Sequence, residues 1–259
     1  MSDGLKIYGL LTVPTGAKPS NGWPVIILNH GYIPPAQYST ANSYEIMVDP
    51  LASAGYIVFK PDYRGNGNSQ GVPSQIYVSP DYVADSLNAL SSVKKYKDAN
   101  PDKIGVLGHS MGGNITLHEL VIKPDQFQAA ELLSGVVGSY SGILDWWHNR
   151  GPLFGNDAQT KVLVDLFLST HGTPESNPSF WNSIDPTEYL SDITAPVQIQ
   201  VGTGDSEVPP KFSEDLQQNL KQDGKTVSFY EYPGADHNLS PDTGLAMQRA
   251  IAFFDKYLK

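Results

Sequence analysis

The 259-residue sequence contains no cysteine, so it excludes disulfide bonds, thiolate metal ligands and a cysteine nucleophile. It has no apolar run of about 18 residues, and we therefore expect no transmembrane helix. Basic residues are scarce, because 17 Lys and Arg stand against 27 Asp and Glu for a formal net charge of −10. This charge disfavours binding to nucleic acid or to an anionic membrane, since both attract clustered cations.

The first residues also lack a basic stretch followed by a long apolar segment, which is the pattern of a signal peptide. The chain as it stands is therefore expected to be cytoplasmic, and a secreted protein would require that a leader has been removed. His, Asp and Glu do not cluster at the spacing of metal ligands. We expect no metal and no cofactor, and a small molecule as the partner.

Short apolar runs alternate with amphipathic segments along most of the chain. The runs predict strands at 5–14, 24–31, 56–63, 103–109, 129–135, 195–205 and 226–234. The segments predict helices at 44–55, 79–96, 114–122, 209–224 and 243–259. This alternation indicates an α/β fold with a mostly parallel sheet and helices on both faces. Functional residues are then expected beyond the carboxyl ends of the strands.

One segment, residues 139–190, interrupts this rhythm with several aromatic residues and a single predicted helix at 158–172. Long insertions between core strands are often lids or functional loops. The alternative is a structural subdomain whose aromatic side chains form a small core of their own. We therefore expect residues 1–138 and 191–259 to form the α/β core and 139–190 to form a lid or cap.

A serine lies in the sequence Gly108-His109-Ser110-Met111-Gly112, which fits G-x-S-x-G. A predicted strand precedes it and a predicted helix follows it, and this context favours a sharp turn that exposes the serine hydroxyl. The turn also places the hydroxyl at a helix N-terminus, which favours developing negative charge. Ser110 is the predicted nucleophile.

With this motif, the chain resembles the α/β-hydrolase superfamily, in particular small esterases and the catalytic domains of prolyl-oligopeptidase-like serine peptidases. The segments that carry the resemblance are "NHGY" at 29–32, "PDYRGNGNSQG" at 61–71, "GHSMGG" at 108–113, "VGTGDSEVP" at 201–209 and "GADHNL" at 234–239. The resemblance implies an α/β-hydrolase fold and a Ser-His-Asp triad that works without a cofactor.

A serine hydroxyl needs a base within hydrogen-bonding distance, and six histidines are candidates. His109 is excluded because adjacent residues at a strand end point in different directions. His237 follows the last predicted strand, where the order Ser…Asp…His puts the base. The remaining histidines are expected elsewhere. His30 lies beside the loop that the resemblance assigns to the oxyanion hole, His118 lies on a helix, and His148 and His171 lie in the insertion.

The acid that orients the base should lie in a loop at the same edge of the sheet. Asp205 follows a predicted strand there, and the resemblance assigns the acid to it, with Glu207 as the rival. Asp62 is interpreted as a structural turn residue. For the oxyanion hole we expect the Met111 amide and a donor from Tyr32, which is either its amide or, as in some relatives, its hydroxyl.

These assignments predict hydrolysis of carboxylic esters through an acyl-serine, with a short-chain or aromatic acyl group. The family that the chain resembles includes feruloyl-type esterases. Candidate lining residues are apolar and mostly aromatic: Ile33, Trp146, Trp147, Phe154 and Trp181. Two alternatives remain open at this point, a serine peptidase of prolyl-oligopeptidase type that acts on short peptides, and a non-catalytic hydrolase-like binding protein.

Overall fold

One seven-stranded sheet organises the structure, a computed structural model that describes residues 3–73, 79–149 and 158–259. The strands are Gly9–Thr12 (β1), Trp23–Asn29 (β2), Ile57–Pro61 (β3), Ala99–His109 (β4), Ala129–Leu133 (β5), Val197–Gly202 (β6) and Val227–Tyr232 (β7). Their order is β1-β3-β2-β4-β5-β6-β7. β1 pairs antiparallel with β3, and every other neighbouring pair is parallel. The predicted mostly parallel α/β sheet is confirmed.

Eight α-helices lie in the described parts of the chain. They are Glu45–Ser53 (α1), Asp81–Val93 (α2), Met111–Ile122 (α3), Tyr140–Asn149 (α4), Ala158–His171 (α5), Pro178–Ile184 (α6), Pro210–Gln222 (α7) and Thr243–Leu258 (α8), with short 3-10 helices at Pro124–Gln126 and Pro186–Asp192. The five helices predicted outside the insertion correspond to α1, α2, α3, α7 and α8.

The register of the central strands brings their carboxyl ends to one edge of the sheet. Asn29 at the end of β2 lies opposite Gly108, and His109 at the end of β4 lies opposite Leu133 of β5. Residues 25–29 are all buried, as expected for a parallel strand that is covered on both faces. The loops that follow β2, β4, β6 and β7 therefore start from one edge, where parallel sheets bind their ligands.

The two faces of the sheet carry separate apolar clusters, because each parallel strand presents side chains to both sides. On one face α2, α3 and α7 contribute Leu90, Leu117, Leu120, Leu216 and Leu220. On the other face α1 and α8 contribute Leu51, Phe254 and Leu258. This packing fixes α3, and with it the turn that precedes it, against the centre of the sheet.

The insertion between β5 and β6 contains more helix than the sequence predicted. The expected helix at 158–172 is present as α5, but α4, α6 and a 3-10 helix were missed. Helix α6 has seven residues, too few for periodicity to identify, and Asn177 caps it by accepting from the Phe180 amide. Tyr140 and Trp181 belong to the cluster on the α3 face of the sheet, so the described part of the insertion packs onto the main core.

A buried carboxyl group lies behind the turn at Ser110. Glu119 of α3 is fully buried, and its Oε2 accepts from Asn29 Nδ2 at 2.6 Å. Burial raises the pKa of Glu119 to about 7 from its ordinary value of 4.5, against the opposing effect of its hydrogen bonds. Glu119 is therefore protonated in the folded protein at mildly acidic pH.

The raised pKa of Glu119 predicts a stability change with pH. Between pH 4.5 and about pH 7 the unfolded chain ionises this group and the folded chain does not, so rising pH destabilises the fold. Relative to the parent, Glu119→Gln should gain stability between about pH 5 and about pH 8, by up to about 3 kcal/mol. Denaturant unfolding at both pH values measures this gain.

The matched control is Glu214→Gln on the exposed side of α7, which should show no such gain. An equal difference between Glu119→Gln and the parent at both pH values would contradict the raised pKa.

Candidate active site

A single residue, Ser110, connects β4 to α3. Its φ of 57° and ψ of −124° lie outside the regions that residues with a Cβ ordinarily adopt. Two glycines permit this turn, because a Cβ on Gly108 would lie 2.4 Å from the Gly112 oxygen and a Cβ on Gly112 would lie 1.9 Å from the Asn29 oxygen. The G-x-S-x-G spacing is thus required by the close approach of α3 to β4 and β2.

Main-chain hydrogen bonds hold Ser110 at the N-terminus of α3. Its amide donates to the Leu133 carbonyl at 3.1 Å, and its carbonyl accepts from the amides of Gly113 and Val136 at 2.9 and 3.0 Å. Met111 is the first residue of α3, and amides in a first helical turn have no acceptor within the helix. The Met111 amide and the positive end of the helix dipole are therefore available to an anion beside Ser110.

The loop after β2 passes directly against the serine. A Cβ placed on Gly31 would lie 2.9 Å from the Ser110 Cβ. Tyr32 and Ile33 follow Gly31 and are half-buried. The structure therefore brings the loop that carries the second predicted oxyanion donor next to the predicted nucleophile.

An aspartate–histidine pair occupies the loops that follow β6 and β7. His237 Nδ1 lies 2.8 Å from Asp205 Oδ2, and both residues are buried. The other oxygen of Asp205 accepts from the amides of Glu207 and Val208 at 2.8 and 2.9 Å, which orients the carboxylate. Glu207 Oε2 lies instead 4.0 Å from His237 Nε2 on a half-exposed side chain. Asp205, and not its rival, is the carboxylate bonded to Nδ1.

His109, the neighbour of the serine, uses both ring nitrogens elsewhere. Nδ1 lies 2.7 Å from the Tyr44 hydroxyl, and Nε2 lies 3.1 Å from the carbonyl oxygen of His237. Burial, assisted by the charge of His237, lowers the pKa of His109 to about 3. A neutral imidazole with both nitrogens engaged cannot act as the base for Ser110.

The other histidines have structural partners as well. His30 is buried, contacts the Gly31 oxygen through Nδ1 at 2.8 Å, and stacks between Tyr38 and Tyr63. Burial lowers the pKa of His30 to about 3. His118 contacts the carbonyl of Asn114 and the hydroxyl of Tyr140, His148 contacts the carbonyl of Leu144, and His171 stacks on Phe180.

The residues predicted to line the substrate site lie in different environments. Ile33 is half-buried two residues after Gly31, and Trp146 and Trp147 are half-buried on α4, where Trp146 packs edge-on against Phe212. Phe154 lies outside the described residues. Trp181 is 2% exposed, donates from Nε1 to the Gly172 carbonyl at 3.0 Å and packs edge-on against Tyr140. The structure therefore assigns Trp181 to the packing of the insertion, and its contact with a substrate stays a prediction.

The parts of the chain that the structure describes lack two kinds of feature. No helix in these parts is long and apolar enough to cross a membrane. No group of three or more His, Asp or Glu residues among the described positions could hold a metal ion.

A parallel sheet that presents one serine on a sharp turn, with an acid and a histidine on later loops, is the architecture of the α/β hydrolases, and this chain has that fold. The profile of the prolyl oligopeptidase family matches residues 42–259. The chain belongs to this family.

Three similar proteins illustrate the range of the family and of the fold. The chain is 28% identical to the uncharacterized peptidase YuxL of Bacillus subtilis, over 99% of this chain and 38% of YuxL, so it spans about two fifths of that relative. Est1E from Butyrivibrio proteoclasticus, solved with ferulic acid bound, superimposes with a TM-score of 0.72 at 18% identity, over 98% of this chain and 96% of Est1E. The esterase Est2 of Thermogutta terrifontis, solved with propionate bound, gives a TM-score of 0.65 at 22% identity, over 98% and 88% of the two chains.

The close approach at Gly112 predicts that a methyl group is not tolerated there. Gly112→Ala would place a carbon 1.9 Å from the Asn29 oxygen and force α3 away from β2. We expect a loss of at least about 2–3 kcal/mol in the free energy of unfolding, measured by denaturant titration.

Gly244→Ala is the control, because Gly244 lies in α8 with no atom within 4 Å of an added Cβ. It should be neutral or stabilise the fold by roughly 0.5–1 kcal/mol. Equal unfolding free energies for Gly112→Ala and the parent would contradict the close approach.

Proposed function

We propose that this chain is a serine hydrolase, a carboxylesterase in which Ser110 is the nucleophile, His237 the general base and Asp205 the residue that orients the base. The observation that carries the proposal is the 2.8 Å contact between His237 Nδ1 and Asp205 Oδ2 beside the strained serine turn. The histidine next to the serine is neutral and engaged by other partners, which leaves the role of base to His237.

In this mechanism His237 Nε2 takes the proton of the Ser110 hydroxyl while Oγ attacks the ester carbonyl. The imidazolium then donates this proton to the leaving alkoxide as the C–O bond breaks, and an acyl-serine remains. A water molecule, deprotonated in turn by His237, then attacks the acyl-serine. The bond between the acyl carbon and Oγ breaks, the imidazolium returns the proton to Ser110 Oγ, and the carboxylic acid is released. Asp205 accepts a hydrogen bond from Nδ1–H throughout and stabilises the imidazolium.

Negative charge on the tetrahedral intermediate would be stabilised at the N-terminus of α3. The Met111 amide is one donor, and Tyr32 supplies the second through its amide or its hydroxyl. Loss of one such donor typically costs about 100- to 1,000-fold in rate. The backbone geometry at Ser110 favours this arrangement, because the strained turn places the first helical amide beside the nucleophile.

The proposed substrates are esters with a short-chain or aromatic acyl group. The likeness to Est1E and to Est2, which hold ferulic acid and propionate, supports this class. The proposed walls of the acyl site are the half-buried side chains of Ile33, Trp146 and Trp147, since apolar and aromatic walls suit such acyl groups. We further propose that the insertion at 139–190 acts as a cap that contributes these tryptophans.

Peptide hydrolysis is the second candidate function. It is favoured by the match over 99% of this chain to the uncharacterized peptidase YuxL, and by the prolyl oligopeptidase family to which this chain belongs. The triad chemistry is the same, except that the leaving group is an amine.

The assignment of the nucleophile and base predicts covalent labelling of Ser110 by a fluorophosphonate probe. Ser110→Ala should abolish labelling, and His237→Ala should lower ester turnover by at least about 1,000-fold because the hydroxyl then has no base. Mass spectrometry of the labelled peptide and steady-state kinetics measure the two effects.

His148→Ala, on the exposed side of α4, is the matched control and should keep parental turnover. If Ser110 of the folded protein stays unlabelled, the enzyme hypothesis fails and a non-catalytic binding protein is favoured.

The substrate class predicts an order of specificity. We expect p-nitrophenyl esters of short acids and methyl ferulate to give higher kcat/KM values than a dipeptide anilide, and long-chain esters to react more slowly than short ones. Parallel measurement of kcat/KM for these substrates tests the order. Faster cleavage of the anilide would replace the esterase proposal by the peptidase.

A further inference from the structure

A chain of three hydrogen bonds connects the loop after β2 to the loop after β7 through the residue that precedes Ser110. The Gly31 amide donates to the Tyr44 hydroxyl at 2.6 Å, and that hydroxyl lies 2.7 Å from His109 Nδ1. His109 Nε2 lies 3.1 Å from the carbonyl oxygen of His237. The chain therefore starts beside the predicted oxyanion hole and ends on the main chain of the predicted base.

The direction of each hydrogen bond follows from the groups at the two ends. A carbonyl oxygen can only accept, so His109 Nε2 carries the proton and donates it to His237. In the neutral ring Nδ1 is then an acceptor, and the Tyr44 hydroxyl donates to it while accepting from the Gly31 amide. Burial raises the pKa of Tyr44 and lowers that of His109 to about 3, so this pattern persists over the neutral pH range.

The members of this chain are held rigidly. Gly31, His109 and His237 are buried, so each polar group in the chain would be costly to leave without a partner. Tyr44 has a φ of 71°, an uncommon conformation for a residue with a Cβ, just before α1. The rings of Tyr44 and His109 meet edge-on with centroids 5.5 Å apart, and those of His109 and His237 are 4.9 Å apart.

We propose that Tyr44 and His109 are positioning residues that couple the oxyanion loop at Gly31 to the base His237. This inference rests on the proposed function for its meaning in catalysis. Asp205 fixes the ring of His237 through Nδ1, whereas His109 fixes its main chain. The two contacts together determine where Nε2 lies relative to the Ser110 hydroxyl.

This role differs from that of the base itself. Neither Tyr44 nor His109 exchanges a proton with the substrate, so their removal should leave the mechanism intact and lower its efficiency. Misplacement of a catalytic group by about 1 Å can cost roughly 100-fold in rate. A smaller shift of the His237 loop should reduce kcat and leave the binding of the acyl group unchanged.

Tyr44→Phe tests the coupling, because it removes the hydroxyl that joins Gly31 to His109 and keeps the ring. We expect kcat for a p-nitrophenyl ester to fall by about tenfold, with KM changed by less than about twofold. Tyr56→Phe is the matched control: it removes a buried tyrosine's 2.6 Å hydrogen bond to Asp255 and should leave kcat unchanged.

Two variants at position 109 distinguish the two hydrogen bonds that His109 makes. His109→Gln keeps a donor near the place of Nε2 and should retain more kcat than His109→Asn, which keeps only a group near the place of Nδ1. Parental kcat in both Tyr44→Phe and His109→Asn, with the parent active on the ester, would overturn the positioning role and leave the proposed function standing.

A measurement that does not require ester hydrolysis tests the coupling independently of the proposed function. The proton NMR signal of His237 Nδ1–H, which reports its bond to Asp205, should shift or broaden in Tyr44→Phe and stay unchanged in Tyr56→Phe. An unchanged signal in Tyr44→Phe would contradict the coupling even if the protein hydrolyses no ester.

Discussion

The approach of the Gly112 main chain to the carbonyl of Asn29 is the contact on which the geometry around Ser110 depends. It is possible because neither Gly112 nor Gly108 carries a Cβ. The Asn29 side chain strengthens it, since its amide donates to Glu119 of α3 and its oxygen accepts from Ser86 of α2. One residue thus joins a central strand to two helices. The chain continues from it directly into the loop that passes the serine.

Burial at this edge of the sheet keeps several titratable groups neutral, whereas the ring of His237 is paired with a carboxylate. His30 and His109 have a pKa lowered to about 3, and Glu119 has a pKa raised to about 7, in each case chiefly because burial penalises the charged form. All six histidines are described, and His237 is the one with a carboxylate in contact with its ring. The environment supplied by the fold, and not proximity in sequence, distinguishes the candidate base from its neighbour.

The sequence pattern located all seven strands of the described sheet because each contains a short apolar or alternating run. It missed α4 and α6, where tertiary packing stabilises short helices. The G-x-S-x-G motif gave the candidate Ser110, chain order gave His237, and the resemblance assigned the acid to Asp205. The fold adds the contact of Asp205 with His237 Nδ1, which Glu207 does not make. Tyr44 carries no local motif at all. Its proposed role depends on contacts with Gly31 and His109, which are distant in sequence, and a sequence pattern does not predict such contacts.

The proposed triad serves esters and amides unequally, and the difference lies in the departure of the leaving group. An activated phenolate can leave with little assistance, whereas an alkoxide is helped by a proton from the His237 imidazolium and an amine must receive that proton before the C–N bond breaks. The position of Nε2 therefore matters more for a peptide than for an activated ester. Two contacts define that position here, Asp205 at the ring and His109 at the main chain. A displaced Nε2 would therefore slow peptide cleavage more than cleavage of an activated ester. The loops that position His237 would in this way determine how well the protein cleaves peptides relative to esters.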